Sequence, residues 1–114
     1  MPTLPAGGRG GHCTVHGSHR PAVSGTEIHH VWPKGMGGPD VADNRVEVCP
    51  TGHTNIHNWM AYRLYLTGHL QRPTPLPIPL ATVAEKKLAE RGIADWIAAG
   101  KPGDVTAAYA LHVH

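Results

Sequence analysis

Two histidine pairs of different spacing constrain this chain more than any other feature. His29 and His30 are adjacent, whereas His53 and His57 are four apart. Neighbouring side chains on a strand point to opposite faces. Side chains four apart on a helix lie on one face. The flanking residues predict those two settings in that order. Residues 26–32 (TEIHHVW) are rich in β-branched and aromatic residues and predict a strand. Residues 33–43 (PKGMGGPDVAD) read as a Gly/Pro/Asp loop. Residues 44–49 (NRVEVC) alternate polar and apolar, which predicts a second strand antiparallel to the first. Pro50 stops that strand and Thr51 is a candidate N-cap. A helix is expected over 52–68, with Ile56, Trp59 or Met60, and Arg63 or Leu64 at helical spacing and Gly68 at its end.

The rest of the chain is arranged around this segment. Residues 1–12 are expected to be a flexible arm. Residues 13–25 hold Cys13, His16 and His19 among Gly, Ser and Pro, a loop that only metal would fix. Pro73, Pro75, Pro77 and Pro79 alternate with Thr74, Leu76 and Ile78, an extended linker over 71–80. Residues 82–99 predict a helix, weakened by Gly92. Val105, Ala107, Tyr109, Leu111 and Val113 alternate and favour a short strand, while the Ala-rich composition leaves a helix open. Trp96 and Ile97 belong to the core or dock a partner. The fold class expected is α+β: an N-terminal arm (1–25), a core of β-hairpin plus helix (26–70), the linker, and a C-terminal helical extension (81–114).

Composition bears on this in three ways. The 114 residues include no Phe, 14 Gly and 11 Pro, so the core is thin. Small folds with thin cores lean on metals or other staples. The ten histidines outnumber the eight Asp and Glu together, and two cysteines stand near histidines, which favours metal over a disulfide. The net charge of +2 arises in residues 1–79, which carry six Lys/Arg against four acids, a weak pull toward a polyanion. There is no basic-then-apolar leader and no apolar run of membrane-spanning length, so a cytoplasmic location off the membrane is expected.

On a helix, His53 and His57 can present two imidazoles to one cation. A third ligand from His29 or His30 would leave the other ring free beside the ion. Three protein ligands leave coordination positions open, as in catalytic rather than structural sites. An imidazole that titrates near neutral pH can take a proton from water.

The segment EIHHVWPKGMGGPDVADNRVEVCPTGHTNIH, residues 27–57, resembles the core of HNH endonucleases, the ββα-metal or His-Me finger fold. It most resembles the branch with adjacent histidines and a closing His-x3-His, as in colicin DNases, and small phage-encoded HNH proteins. The resemblance implies that His29 is a metal ligand and His30 the general base. It implies that His53 and His57 complete the metal site and that Asn44 ties the loop between the strands. Glu27 matches an acidic residue that orients the site from outside the ligand set. The implied activity is metal-dependent hydrolysis of DNA phosphodiester bonds, nicking when the chain acts alone, with one divalent ion (Mg, Mn, Ni or Zn). Lys34, Arg45 and Arg63 would contact the DNA backbone. Phage HNH proteins often act beside the DNA-packaging terminase, so terminase or another packaging protein is an expected partner.

Many HNH relatives also hold a structural zinc with two Cys-x2-Cys pairs. Here Cys13-x2-His16 stands where the first pair would be, and Cys49 begins the second. Gly52 takes the place of the fourth sulfur. A structural zinc held by Cys13, His16 and Cys49 is expected, completed by His19 or His12, or else the site is lost. The alternative function is a non-catalytic zinc module that binds nucleic acid or protein. Such a module has no use for His30 beside His29.

Overall fold

The computed structural model describes residues 12–15, 17–18, 26–71 and 77–109. The rest of the expected N-terminal arm, His16, His19, the first part of the proline-rich linker, and Leu111 and Val113 lie outside these residues. The architecture is α+β. Strands β1 (His12–Cys13) and β2 (Gly17–Ser18) form one antiparallel pair, and β3 (Glu27–His30) and β4 (Arg45–Val48) form another. Three helices follow: α1 (Pro50–Leu66), α2 (Val83–Ala98) and α3 (Val105–Ala108). Among the described residues, no helix is long and apolar enough to cross a membrane.

The β3–β4 register pairs Glu27 with Val48, Ile28 with Glu47, His29 with Val46 and His30 with Arg45. Strand alternation buries His29 completely and leaves His30 half-buried on the other face. The connection between the strands contains two short 3-10 turns, Lys34–Met36 and Ala42–Asn44. Asn44 clasps this connection. Its Oδ1 accepts from Trp32 N (2.9 Å), and its Nδ2 donates to Trp32 O (2.8 Å) and Pro39 O (2.9 Å).

Helix α1 starts earlier than the sequence reading has it. Cys49, not Thr51, is the N-cap, and its Sγ accepts from Gly52 N (3.2 Å). Pro50 does not merely stop β4. It occupies the first helical turn, where its missing N–H costs nothing. Gly68 ends the helix as expected, in the left-handed conformation (φ 81°). Its N–H donates to Tyr65 O, and the next N–H donates to Leu64 O.

Helix α2 lies along α1, and Ile56, Met60, Ala61 and Leu64 of α1 form the core with Ala89, Ile93 and Trp96 of α2. A capping box of Thr82 and Glu85 starts α2. Gly92 marks the closest approach of α2 to the end of β3. A Cβ there would lie 1.9 Å from Val31 O, so only glycine fits without a shift of backbone. Trp96 is core, and Ile97 is 46% exposed.

Two expectations change. The segment that begins at Val105 is helical over 105–108, because Asp104 caps it by accepting from Thr106 N and Ala107 N. That local cap outweighs the apolar alternation. The N-terminal loop does not depend on metal alone. Thr14 N donates to Glu47 O (2.8 Å), attaching the β1–β2 pair to β4, and Cys13 is fully buried.

Candidate functional site

The fold brings three histidines from two elements to one point. His29 comes from the middle of the β3–β4 ladder, His53 from the first turn of α1, and His57 one turn later. One ring nitrogen from each lies within 4.8 Å of the others. The ring centroids are 5.1 Å apart for His29–His53, 4.9 Å for His29–His57 and 4.9 Å for His53–His57.

The groups around the cluster orient its rings. His53 Nδ1 donates to Glu27 Oε1 (2.9 Å), which leaves the His53 Nε2 lone pair facing inward. His57 Nδ1 lies 3.0 Å from the hydroxyl of Tyr109, and that hydroxyl lies 3.2 Å from Met60 Sδ. The two Nε2 atoms of His53 and His57 approach to 3.2 Å.

His29 tests whether such a cluster fits a cation. Both of its ring nitrogens are buried and have no hydrogen-bond partner among the described residues, an arrangement that folded proteins avoid unless an ion or water serves the group. Burial, then the nearby charges of His57, His53 and His30, lowers its pKa to about 2. It is therefore held as neutral imidazole, the form that ligates metal. Three imidazoles converging in this way can bind a metal ion.

His30 faces away and has a separate partner. Its Nε2 donates to Asp40 Oδ1 (2.8 Å), which places the lone pair on Nδ1. Arg45 Nη1 is 3.8 Å from the same oxygen. The His30 hydrogen bond, followed by the charge of Arg45, holds the Asp40 carboxyl below its ordinary range.

The structure thus gathers Glu27, His29, His53 and His57, with His30 and Asn44 on the adjoining strand ends. It does not gather the three basic residues. Lys34 is exposed on the first 3-10 turn, and Arg45 is engaged with Asp40. Arg63 lines a groove with Glu90, Ile93, Ala94 and Ile97 at the α1–α2 seam, roughly 240° around α1 from His57. Two residues at the site have no place in the sequence reading. Asp40 appears there only as a turn residue and Tyr109 only as one position of an alternating pattern. Nothing in local spacing ties either to a histidine.

Cys13 and Cys49, both buried, lie with their thiols against each other. Burial pushes the Cys49 thiol up, the Gly52 N–H pulls it down, and the Cys13 thiol adds to the upward shift. Two of the three residues expected to hold zinc therefore meet, and His16 lies outside the described residues. Comparison with family models, with curated proteins and with solved structures finds no match to this chain.

Proposed function

We propose that this chain is a metal-dependent endonuclease of the HNH type, hydrolysing DNA phosphodiester bonds at a ββα-metal site. One observation carries the reading. A strand histidine and two helical histidines converge, while the residue next to the strand histidine presents its imidazole on the opposite face. A merely structural three-histidine site does not need that second imidazole.

His29, His53 and His57 hold the metal, and Glu27 keeps His53 turned toward it. When bound, a divalent cation supplies Lewis-acid stabilisation of charge on the phosphate, and imidazole donors suit Zn and Ni better than Mg. His30 acts as general base at Nδ1, accepting a proton from the attacking water, while Asp40 fixes the opposite nitrogen. Asn44 keeps the strand connection closed by holding the backbone of Trp32, two residues beyond His30, at both its N–H and its carbonyl. Lys34 and Arg45 would contact flanking phosphates, which positions DNA without reading sequence. A structural zinc at Cys13 and Cys49, with His16, belongs to the same reading.

Supercoiled plasmid incubated with metal-free protein plus Mg²⁺, Mn²⁺, Ni²⁺ or Zn²⁺ is expected to be nicked with at least one of these ions. His30→Ala should keep metal and DNA binding yet cut about 10²–10⁴ times more slowly. His57→Ala should lose metal binding and cleavage together. His30→Ala cutting at the wild-type rate would refute the mechanism. Tight zinc binding with no cleavage under any ion would favour a non-catalytic zinc module instead.

A further inference from the structure

The centre contains an asymmetry. His53 and His57 are one helical turn apart and present equivalent rings, yet the groups that hold their outer nitrogens differ in kind. Glu27 is a carboxylate, and an ionised carboxylate only accepts. It fixes His53 in one tautomer, with the proton on Nδ1. Tyr109 offers a hydroxyl, which both donates and accepts. That hydroxyl is 2% exposed as part of its residue, and burial raises the phenol pKa, so it stays protonated. Among the described residues it reaches His57 Nδ1 at 3.0 Å and Met60 Sδ at 3.2 Å.

A hydroxyl turned to one of these groups sets a different His57 from a hydroxyl turned to the other. If Tyr109 donates to His57 Nδ1, the ring proton sits on Nε2 and is shared with His53 Nε2, 3.2 Å away. A continuous chain then runs from Glu27 through His53 and His57 to Tyr109. If the hydroxyl swings to Met60 Sδ, its oxygen accepts from His57 Nδ1–H, and His57 Nε2 presents a lone pair to the cluster. In the exchange, one proton leaves Nε2 to solvent and one arrives at Nδ1 from solvent. The phenol keeps its own proton, and the net charge is unchanged.

We propose that Tyr109 is a positioning residue of the metal centre, whose hydroxyl lets His57 exist as the Nε2–H tautomer without metal and as the Nδ1–H tautomer with it. His53 has no such freedom. The proposal rests on the metal-binding reading of the cluster and not on nuclease activity. It also assigns a role at the centre to the C-terminal segment, outside the motif.

The test uses the full chain labelled with ¹⁵N-histidine, observed metal-free and after Zn²⁺ addition. His57 is expected to move from Nε2–H to Nδ1–H, and His53 to remain Nδ1–H throughout. Tyr109→Phe keeps the buried ring and removes the hydroxyl. It should weaken Zn²⁺ affinity about 10–100-fold in competition with a chelator, and metal-free His57 should no longer favour Nε2–H. Met60→Leu, which removes the second partner, should weaken Zn²⁺ affinity but leave metal-free His57 as Nε2–H. His57 in the Nδ1–H form before and after zinc overturns the proposal. So does a Tyr109→Phe protein of wild-type affinity. Wild-type protein that binds no Zn²⁺ overturns the metal reading as well.

Discussion

Residues 27–57 and residues 83–109 serve one centre in opposite ways. The first segment carries every candidate ligand and the proposed base, all at spacings set by a strand and a helix. The second carries no ligand. It supplies Gly92, which lets α2 press against the end of β3, Trp96 in the core, and Tyr109 behind His57. Ligand identity is local, whereas the packing behind the ligands comes from residues 35 or more positions beyond His57 in the chain.

Gly92→Ala tests that division most severely. The added Cβ meets backbone rather than a flexible side chain. Overpacking of that kind costs up to about 3 kcal/mol, against a helix-propensity gain of about 1. Urea unfolding should show a net loss of about 2 kcal/mol and Zn²⁺ affinity should fall, because Val31 is two residues from His29. A Gly92→Ala protein with wild-type stability and affinity would mean that α2 only covers the core.

Asn44→Ala approaches the comparison from the other side, removing three hydrogen bonds within the first segment. At about 0.5–1.5 kcal/mol each, less what water recovers, the expected loss is about 1.5 kcal/mol. Metal affinity should hold, since Asn44 touches no ligand, and cleavage should fall because the connection around Trp32 loosens. A loss of metal affinity equal to that of His57→Ala would show that the clasp and the cluster are one unit.

Acid gives the smallest effect per step. Folded His29 stays neutral down to about pH 2, whereas the unfolded chain protonates it below 6.5. The stability that comes from burying it neutral is therefore complete above pH 6.5 and is lost as pH falls toward 2. The slope is at most about 1.4 kcal/mol per pH unit. Denaturation measured in chelator at pH 7.5 and 5 should show this loss, and His29→Leu should show a shallower one. Equal slopes would place the acid sensitivity elsewhere.

The hairpin, the first helix and the placing of His53 and His57 on one helix face were legible in the sequence because each rests on local periodicity, whereas the choice of His29 over His30 as their third partner came only with the family resemblance. Spacing of four on a helix and alternation on a strand hold whatever packs outside them. The start of α1 is less legible, because Pro50 breaks a strand and begins a helix equally well, and the side chain that decides is the Cys49 cap. At the last helix the sequence leaves strand and helix both open, and alternation in an Ala-rich stretch, which favours the strand, is weak beside the Asp104 cap. Tyr109 was beyond reach: its contact with His57 spans 52 residues and exists only after α2 has folded back onto α1. Asp40 was hidden for a milder reason, since an Asp in a Gly/Pro loop looks like any turn residue until its partner across ten residues is known.

The pairing of His29 with Val46 and of His30 with Arg45 makes the two imidazoles interchangeable by position though not by role. Deleting one residue from β3 ahead of His29 would turn the strand over with respect to the core. His30 would then take the place of His29 opposite Val46, and His29 would move to the place of Ile28 on the other face. Such a frameshift of the hairpin need not abolish metal binding, since an imidazole still fills the third corner. It would place the buried Val31 side on the outside and break the Asn44 clasp, so the exchange is opposed by the whole face and not by the histidines. The order of two identical letters in the sequence is thus enforced by their neighbours: Val31, which is buried one position later, and Asn44, which closes the connection.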